Sequence, residues 1–209
     1  MSRPLTIAVP KGRVLKTLAA RFAKAGVDPD VLLSDDRRLV RPTADDSVRF
    51  LLLKPDDVPT YVEYGAADLG VVGRDVLLER EYDLYVPLDL GIGICKLAVC
   101  GLAGQPPRTD LLRPLRVATK FVSSAARYYS DKGQQVEIIY VGGSVELAPI
   151  TGLADVIVDL VETGETLRQN GLEVFEHVAD ISSVVIANVA AFKLAREPIR
   201  TLLAALQQG

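Results

Sequence analysis

Short apolar runs closed by a turn residue, each followed by a stretch with helical spacing, recur along most of the chain. This alternation predicts α/β units, with parallel strands covered by helices. Residues 5–9 read as a first strand. Residues 13–25 follow as a helix, with Val14, Leu15, Leu18, Ala19 and Phe22 on one face and Gly26 as its stop. Residues 48–53 form the next strand, Asp57 heads a short helix to Tyr64, residues 68–72 return as a strand, and 82–90 read as extended. The pattern changes at Gly91-Ile92-Gly93, where a strand over 94–100 leads into a stretch rich in Pro and Gly at 101–107. A second set of units then begins: strands at 116–119, 136–141 and 156–161, and helices over 123–132, from Ser144 and from about Thr166. Residues 184–192 are apolar again, and 197–206 are amphipathic and suited to pack back on the first lobe. The expected division is lobe I at 1–94 plus 180–209 and lobe II at 95–179.

At 209 residues, either one large or two small domains can bury enough apolar surface to need no metal or disulfide staple. A net charge of -3, with no Lys or Arg run longer than a pair, lacks the footprint of a duplex-binding protein. No nucleic-acid partner is expected, and any nucleotide partner is small. Neither an export signal nor an apolar run of ~20 residues is visible, so no membrane partner and a cytoplasmic address are expected. Cys95 and Cys100 are an odd offset apart on a strand, so they face opposite ways and are expected as buried free thiols. A lone His177 supplies one metal ligand at most, and an ordinary packed or solvated histidine is the better reading.

Four stretches can carry chemistry. After the strand ending at Val161, Thr163-Gly164-Glu165-Thr166 opens a helix, a geometry that aims backbone N–H groups and a helix dipole at one anion. Gly164 allows close approach, and the Thr163 and Thr166 hydroxyls add donors. Asp155 and Asp159 lie upstream on one face of the strand, suited to sugar hydroxyls or a bound cation. The plainer alternative is a helix cap with solvated aspartates. Lys11-Gly12-Arg13 follows the first strand at the carboxyl end, where ligands of open α/β sheets collect, and can clamp a polyphosphate. Arg37, Arg38 and Lys54 are equally readable as surface charges. Asp68-Leu69-Gly70 and Gly73 bracket a strand whose glycines suit either a flat ligand or tight packing. Gly142-Gly143-Ser144-Val145-Glu146 offers N–H groups and a carboxylate, or else a simple cap at Ser144.

These stretches together resemble the ATP phosphoribosyltransferases that open histidine biosynthesis, in their short form. The resemblance spans Ile7-Ala8-Val9-Pro10-Lys11-Gly12-Arg13, Asp57-Val58-Pro59-Thr60-Tyr61-Val62, Gly65-Ala66-Ala67-Asp68-Leu69-Gly70, Gly143-Ser144-Val145-Glu146-Leu147-Ala148-Pro149 and residues 155–167. It implies an α/β fold of two lobes like the type II periplasmic binding proteins, with a central cleft. It also implies attack by N1 of ATP on C1 of phosphoribosyl pyrophosphate, with Mg2+ arriving on the substrate rather than at a dedicated protein site.

By the same resemblance, Glu146, Asp155, Asp159, Thr163, Gly164, Glu165 and Thr166 hold phosphoribosyl pyrophosphate. Lys11, Gly12, Arg13, Arg37, Lys54, Asp68, Leu69, Gly70 and Gly73 serve the nucleotide, and Lys11, Arg13 and Asp159 are the catalytic set. Lys54-Pro55-Asp56 stands where the family commonly has an Arg-Ala pair, which removes bidentate contact there. The short form further implies a separate regulatory subunit resembling histidyl-tRNA synthetase, in a hetero-oligomer. The rival expectations are a non-catalytic two-lobe binding module and a phosphoribosyltransferase for a free base.

Overall fold

The computed structural model describes residues 3–107, 113–194 and 196–207. The chain divides into two compact units. One holds the chain through Leu77, Glu81–Gly93 and everything from Ser182; the other holds Leu78–Arg80 and Ile94–Ile181. Leu78–Arg80 was expected in the first lobe and is a correction: the Glu79 carboxylate accepts N–H bonds from Ser123 (2.7 Å) and Ser124 (3.0 Å), which ties this piece to the second unit. The expected crossings at 94/95 and 179/180 compare with 93/94 and 181/182 in the structure.

The first unit runs β1 (Leu5–Pro10), α1 (Leu15–Lys24), α2 (Asp30–Leu33), β2 (Val40–Pro42), β3 (Val48–Leu53), a 3-10 turn at Pro55–Asp57, α3 (Val58–Glu63), β4 (Leu69–Gly73), α4 (Arg74–Glu79) and β5 (Leu84–Asp89). The second contributes β6 (Cys95–Leu102), β7 (Leu115–Thr119), α5 (Val122–Asp131), β8 (Val136–Tyr140), α6 (Leu147–Ile150), β9 (Val156–Val161), α7 (Glu165–Gln169) and β10 (Leu172–Ile181). The chain closes with β11 (Ser183–Asn188), α8 (Val189–Leu194) and α9 (Arg196–Gln207).

Both sheets are mixed, where parallel ones were expected. The first has the order β2-β3-β1-β4-β11-β5, the second β10-β6-β9-β7-β8. The β1 strand pairs parallel with β3 and β4, and β7 with β8 and β9. By contrast β2, β11, β6 and β10 join antiparallel. In each unit the parallel strands therefore end at a common edge, and every turn leaving them emerges there.

Alternation along the strands splits each core in two. Leu5, Ile7 and Val9 of β1 face a cluster with Leu18 and Phe22 of α1 and Ile199 and Leu206 of α9. Ala8 faces the opposite cluster, with Val58 and Val62 of α3. Phe22 meets Phe50 edge to face at 5.0 Å between ring centroids. In the second unit Ala125 and Tyr129 of α5 cover one face, and Ala148 of α6 with Leu167 of α7 cover the other. Cys95 and Cys100 are free, buried and on opposite faces of β6. Among the described residues no helix is long and apolar enough to cross a membrane.

Candidate active site

At the carboxyl end of β9 the chain turns through Gly164 with φ 73° and ψ 6°, a left-handed conformation that disfavours every residue with a Cβ. This turn starts α7 at Glu165, one residue before the expected start. The first N–H groups of a helix have no carbonyl one turn earlier, so those of the 164–166 turn point outward with the positive dipole end. The turn is braced from behind. Arg168 donates to the Thr163 carbonyl at 3.3 Å, the Glu165 N–H reaches Thr163 Oγ1 at a long 3.3 Å, and buried Leu167 pins α7 to the sheet.

Glu165 is one of the residues expected around the phosphate, and its side chain turns away onto its own helix. Its carboxylate pairs with Arg168 at 2.5 Å and accepts from Gln169 at 2.9 Å, bonds that hold it below the usual carboxylate range. The negative charge is thereby turned onto its own helix, leaving main-chain amides for an anion. A pocket of about 470 Å³ adjoins the turn, with Lys96, Ala98, Thr163, Gly164, Leu172 and His177 in its walls.

Asp159 lies in β9 on the face shared with Ile157, against which α6 and α7 pack. Burial pushes its carboxyl above the ordinary value, the Leu160 N–H (2.8 Å) opposes this, the Glu146 charge adds to it and Lys120 opposes it. Glu146 immediately precedes α6 and makes no side-chain cap. Nor does Ser144 cap: it takes φ 48°, and its carbonyl accepts the Leu147 N–H at 3.2 Å, so the backbone itself carries this turn. A non-glycine residue in that region is a strained choice. Asp159 and Glu146 thus stand together at the edge that carries the Gly164 turn.

Asp155 does not, and its expected place beside the sugar is corrected. It sits just before β9, at the opposite end of a six-residue strand, roughly 20 Å from the turn at about 3.3 Å per residue. Its carboxylate accepts the Arg116 N–H at 2.9 Å, the Arg116 guanidinium at 3.3 Å and Arg113 at 3.4 Å. Burial raises its pKa, but these donors outweigh burial and the net shift is downward. It fastens β9 to β7.

In the first unit a pocket of about 510 Å³ is lined by Lys11, Gly12, Lys16, Arg37, Arg38 and Arg41. Two of these cations are spent on structure. Arg38 binds Asp36 through Nε (2.8 Å) and Nη2 (2.6 Å), which lowers Asp36 to about 2. Arg41 is buried and donates to the carbonyls of Leu32 (2.9 Å), Ser34 (2.9 Å) and Asp36 (3.0 Å). Lys11, Lys16 and Arg37 remain to face a ligand. Gly12 takes φ 102° in the turn after β1. Lys54 comes alongside, because the Lys11 N–H bonds the Leu53 carbonyl at 2.8 Å. Arg13 is exposed in the same turn and is not a wall of the pocket. Lys16 was missed from sequence, although it follows Gly12 by one helical turn.

Asp68, Leu69 and Gly70 are corrected as nucleotide contacts. Asp68 is buried at the start of β4, the amino end of the sheet, where it accepts the Thr6 N–H at 2.9 Å and pairs with Arg3 at 2.5 Å. Leu69 is core. A Cβ on Gly70 would come within 2.7 Å of Val62 and 2.8 Å of Val58, so this glycine admits α3 against the sheet. Only Gly73, at the far end of β4, shares the edge of Lys11: the register Ile7↔Leu69, Ala8↔Gly70 continues to Lys11 and Gly73.

His177 bonds Asp180 at 2.9 Å, and among the described residues no three His, Cys, Asp or Glu side chains gather as a metal site.

Two mixed α/β units, each with its candidate ligand groups at the carboxyl edge of parallel strands, define an α/β protein with the type II periplasmic-binding-protein-like fold. The family model "HisG: ATP phosphoribosyltransferase" matches residues 54–208, and the chain belongs to that family of transferases. It is similar to the ATP phosphoribosyltransferase of Sorangium cellulosum, 58% identical over 99% of this chain and 96% of the relative. That of Citrifermentans bemidjiense is 47% identical over 98% and 97%. Among solved structures it is similar to the "ATP phosphoribosyl transferase (HisG:HisZ) complex from Thermotoga maritima", with TM-score 0.84 and 36% identity over 98% of this chain and 96% of that one.

Proposed function

We propose that this transferase moves the phosphoribosyl group of phosphoribosyl pyrophosphate to N1 of ATP, releasing pyrophosphate, as the first step of histidine biosynthesis. The observation that carries the site assignment is the left-handed Gly164 turn at the carboxyl end of β9, beside Asp159 and Glu146. The outward amides of the 164–166 turn hold the 5-phosphate, assisted by the hydroxyls of Thr163 and Thr166. Asp159 and Glu146 accept from the ribose hydroxyls and face the positive charge that grows on the ring as the C1–O bond breaks. The triphosphate of ATP lies against Lys11, Gly12, Arg37 and Lys54, with Arg13 and Gly73 at the same edge.

N1 of an adenine ring is a poor nucleophile, so alignment and charge stabilisation supply the rate, and no protein nucleophile is needed. Mg2+ bound with the substrate would supply charge neutralisation to the departing pyrophosphate, and Glu146 and Asp159 are the carboxylates that would face it. A separate regulatory subunit in a hetero-oligomer is part of the reading, supported by the likeness to the HisG:HisZ complex of Thermotoga maritima. So is a cytoplasmic location.

The test is to mix the protein with ATP, phosphoribosyl pyrophosphate and Mg2+, with and without a HisZ-type subunit, and to follow pyrophosphate and phosphoribosyl-ATP. Production of both in equal amounts is expected. Ligand binding without either product would favour the non-catalytic module, and turnover only with a free base would favour another phosphoribosyltransferase.

A further inference from the structure

Lys120 had no role in the reading of the sequence, yet it stands at the edge just described. It follows the last residue of β7, the strand between β9 and β8. The register Val117↔Val156, Ala118↔Ile157 continues to put Lys120 level with Asp159. Thr119↔Tyr140 puts it level with Val141, where the Gly142-Gly143 turn begins. From there the Lys120 charge reaches the Asp159 carboxyl. The Lys120 ammonium lies 4.6 Å from the centroid of the Phe121 ring, which steadies its stem. It is half-buried.

The other local source of positive potential is already used. The amino end of α5, two residues on, gives its Ser123 and Ser124 N–H groups to Glu79, and the Ser124 hydroxyl donates to the same carboxylate at 3.0 Å. An anion arriving between the turns after β9 and β8 therefore meets Lys120 as the available cation. Its charge acts on the carboxyl of Asp159, so an anion bound beside Asp159 would meet it.

Its position selects which part of the ligand it meets. With the 5-phosphate on the turn after β9 and the sugar at Asp159, β7 and Lys120 lie directly beside the ring, since β7 neighbours β9 in the sheet. We infer that Lys120 contacts the pyrophosphate of bound phosphoribosyl pyrophosphate and stabilises it as it departs, a catalytic role in the proposed reaction. The inference rests on the phosphoribosyl reading above. In the step concerned, the C1–O bond breaks with its electron pair going to pyrophosphate, and N1 of ATP forms the new bond to C1. Lys120 gives a charge-assisted hydrogen bond and transfers no proton.

The test uses the full chain and its Lys120→Ala, Lys120→Gln and Lys120→Arg variants. Calorimetric titrations use phosphoribosyl pyrophosphate and pyrophosphate (both with Mg2+), ribose 5-phosphate and ATP, followed by kcat and KM for each substrate. Loss of one charge-assisted contact should weaken phosphoribosyl pyrophosphate and pyrophosphate by about ten- to a hundred-fold in the Ala and Gln variants. Ribose 5-phosphate and ATP should bind as before, and Arg should restore most of the loss. Equal losses for ribose 5-phosphate and phosphoribosyl pyrophosphate would overturn the assignment to pyrophosphate, as would unchanged binding of all four. A wild-type chain that binds neither ribose 5-phosphate nor phosphoribosyl pyrophosphate would overturn the phosphoribosyl reading beneath it. Unaltered melting temperatures separate any of these results from misfolding.

Discussion

Asp155 and Asp159 lie four residues apart along β9 and have opposite fates. At the amino end, Asp155 is met by a backbone N–H and two guanidinium groups and is held in its charged form. Toward the carboxyl end, Asp159 is half-buried with one N–H donor, and desolvation, with Glu146 adding negative charge, pushes its carboxyl upward. The first unit repeats the contrast: Asp68 is fully engaged at the amino end, while Lys11 and Arg37 have only a pocket before them at the other. Residue type and face do not distinguish a fastener from a ligand group. The end of the strand does, because the parallel strands deliver their turns to one edge.

The largest effect expected is from Gly164→Val. A β-branched residue at φ 73° costs about 1–2 kcal/mol and rotates the amides away, so phosphoribosyl pyrophosphate binding should vanish from calorimetric titration while the chain still melts cooperatively. Retained affinity would show that the turn holds no anion. Asp159→Asn should weaken the same ligand about ten- to a hundred-fold and leave ATP nearly untouched. Equal losses for both would erase the distinction between the strand ends. Lys11→Ala should lower kcat by roughly ten-fold with little change in stability, the scale of one charge-assisted contact, and normal kinetics would return Lys11 to the surface.

Asp155→Asn should do the reverse of Asp159→Asn. Stability should fall by about 1–3 kcal/mol in urea as the Arg116 donors lose their acceptor, with kinetic constants unchanged. The pH dependences should differ in sign. Asp155 has its pKa lowered by folding, so its contribution is present above the unfolded-state value and is lost as pH falls through the folded one. Asp159 is raised, so it favours the fold when protonated and loses that contribution as pH rises. Melting curves from acid to neutral pH should therefore show Asp159→Asn gaining stability relative to the unsubstituted chain as pH rises, and Asp155→Asn losing it.

Much of this was legible in the residues. The strands at 48–53 and 156–161 are apolar but for Arg49 and Asp159 and are bounded by turn residues, and Thr163-Gly164 marked a turn at a strand end. What escaped depends on partners distant in sequence. The antiparallel insertion of β11 between β4 and β5 leaves no local trace. The long β10 was missed because bulges between Val174 and Glu176 and between His177 and Ala179 break its alternation. Residues 184–192 read as one apolar stretch, but the Asn188 side chain accepts N–H bonds from Ala190 and Ala191 at 3.0 Å, ending β11 and starting α8. Asp68 and Asp155 looked like ligand groups because their hydrogen-bond donors, Thr6 and Arg116, come from neighbouring strands 62 and 39 residues away. Which way the Glu165 carboxylate faces, outward or onto the next turn of its own helix, is a matter of rotamer and leaves no trace in the sequence.

Amide hydrogen exchange, followed with and without phosphoribosyl pyrophosphate and Mg2+, tests the contrast between strand ends most directly. Slowed exchange at 163–167, with no change at 113–117 and 154–156, is the expected outcome. Substrate turnover accompanied by protection at the Asp155 end, and none at the Gly164 turn, would contradict it.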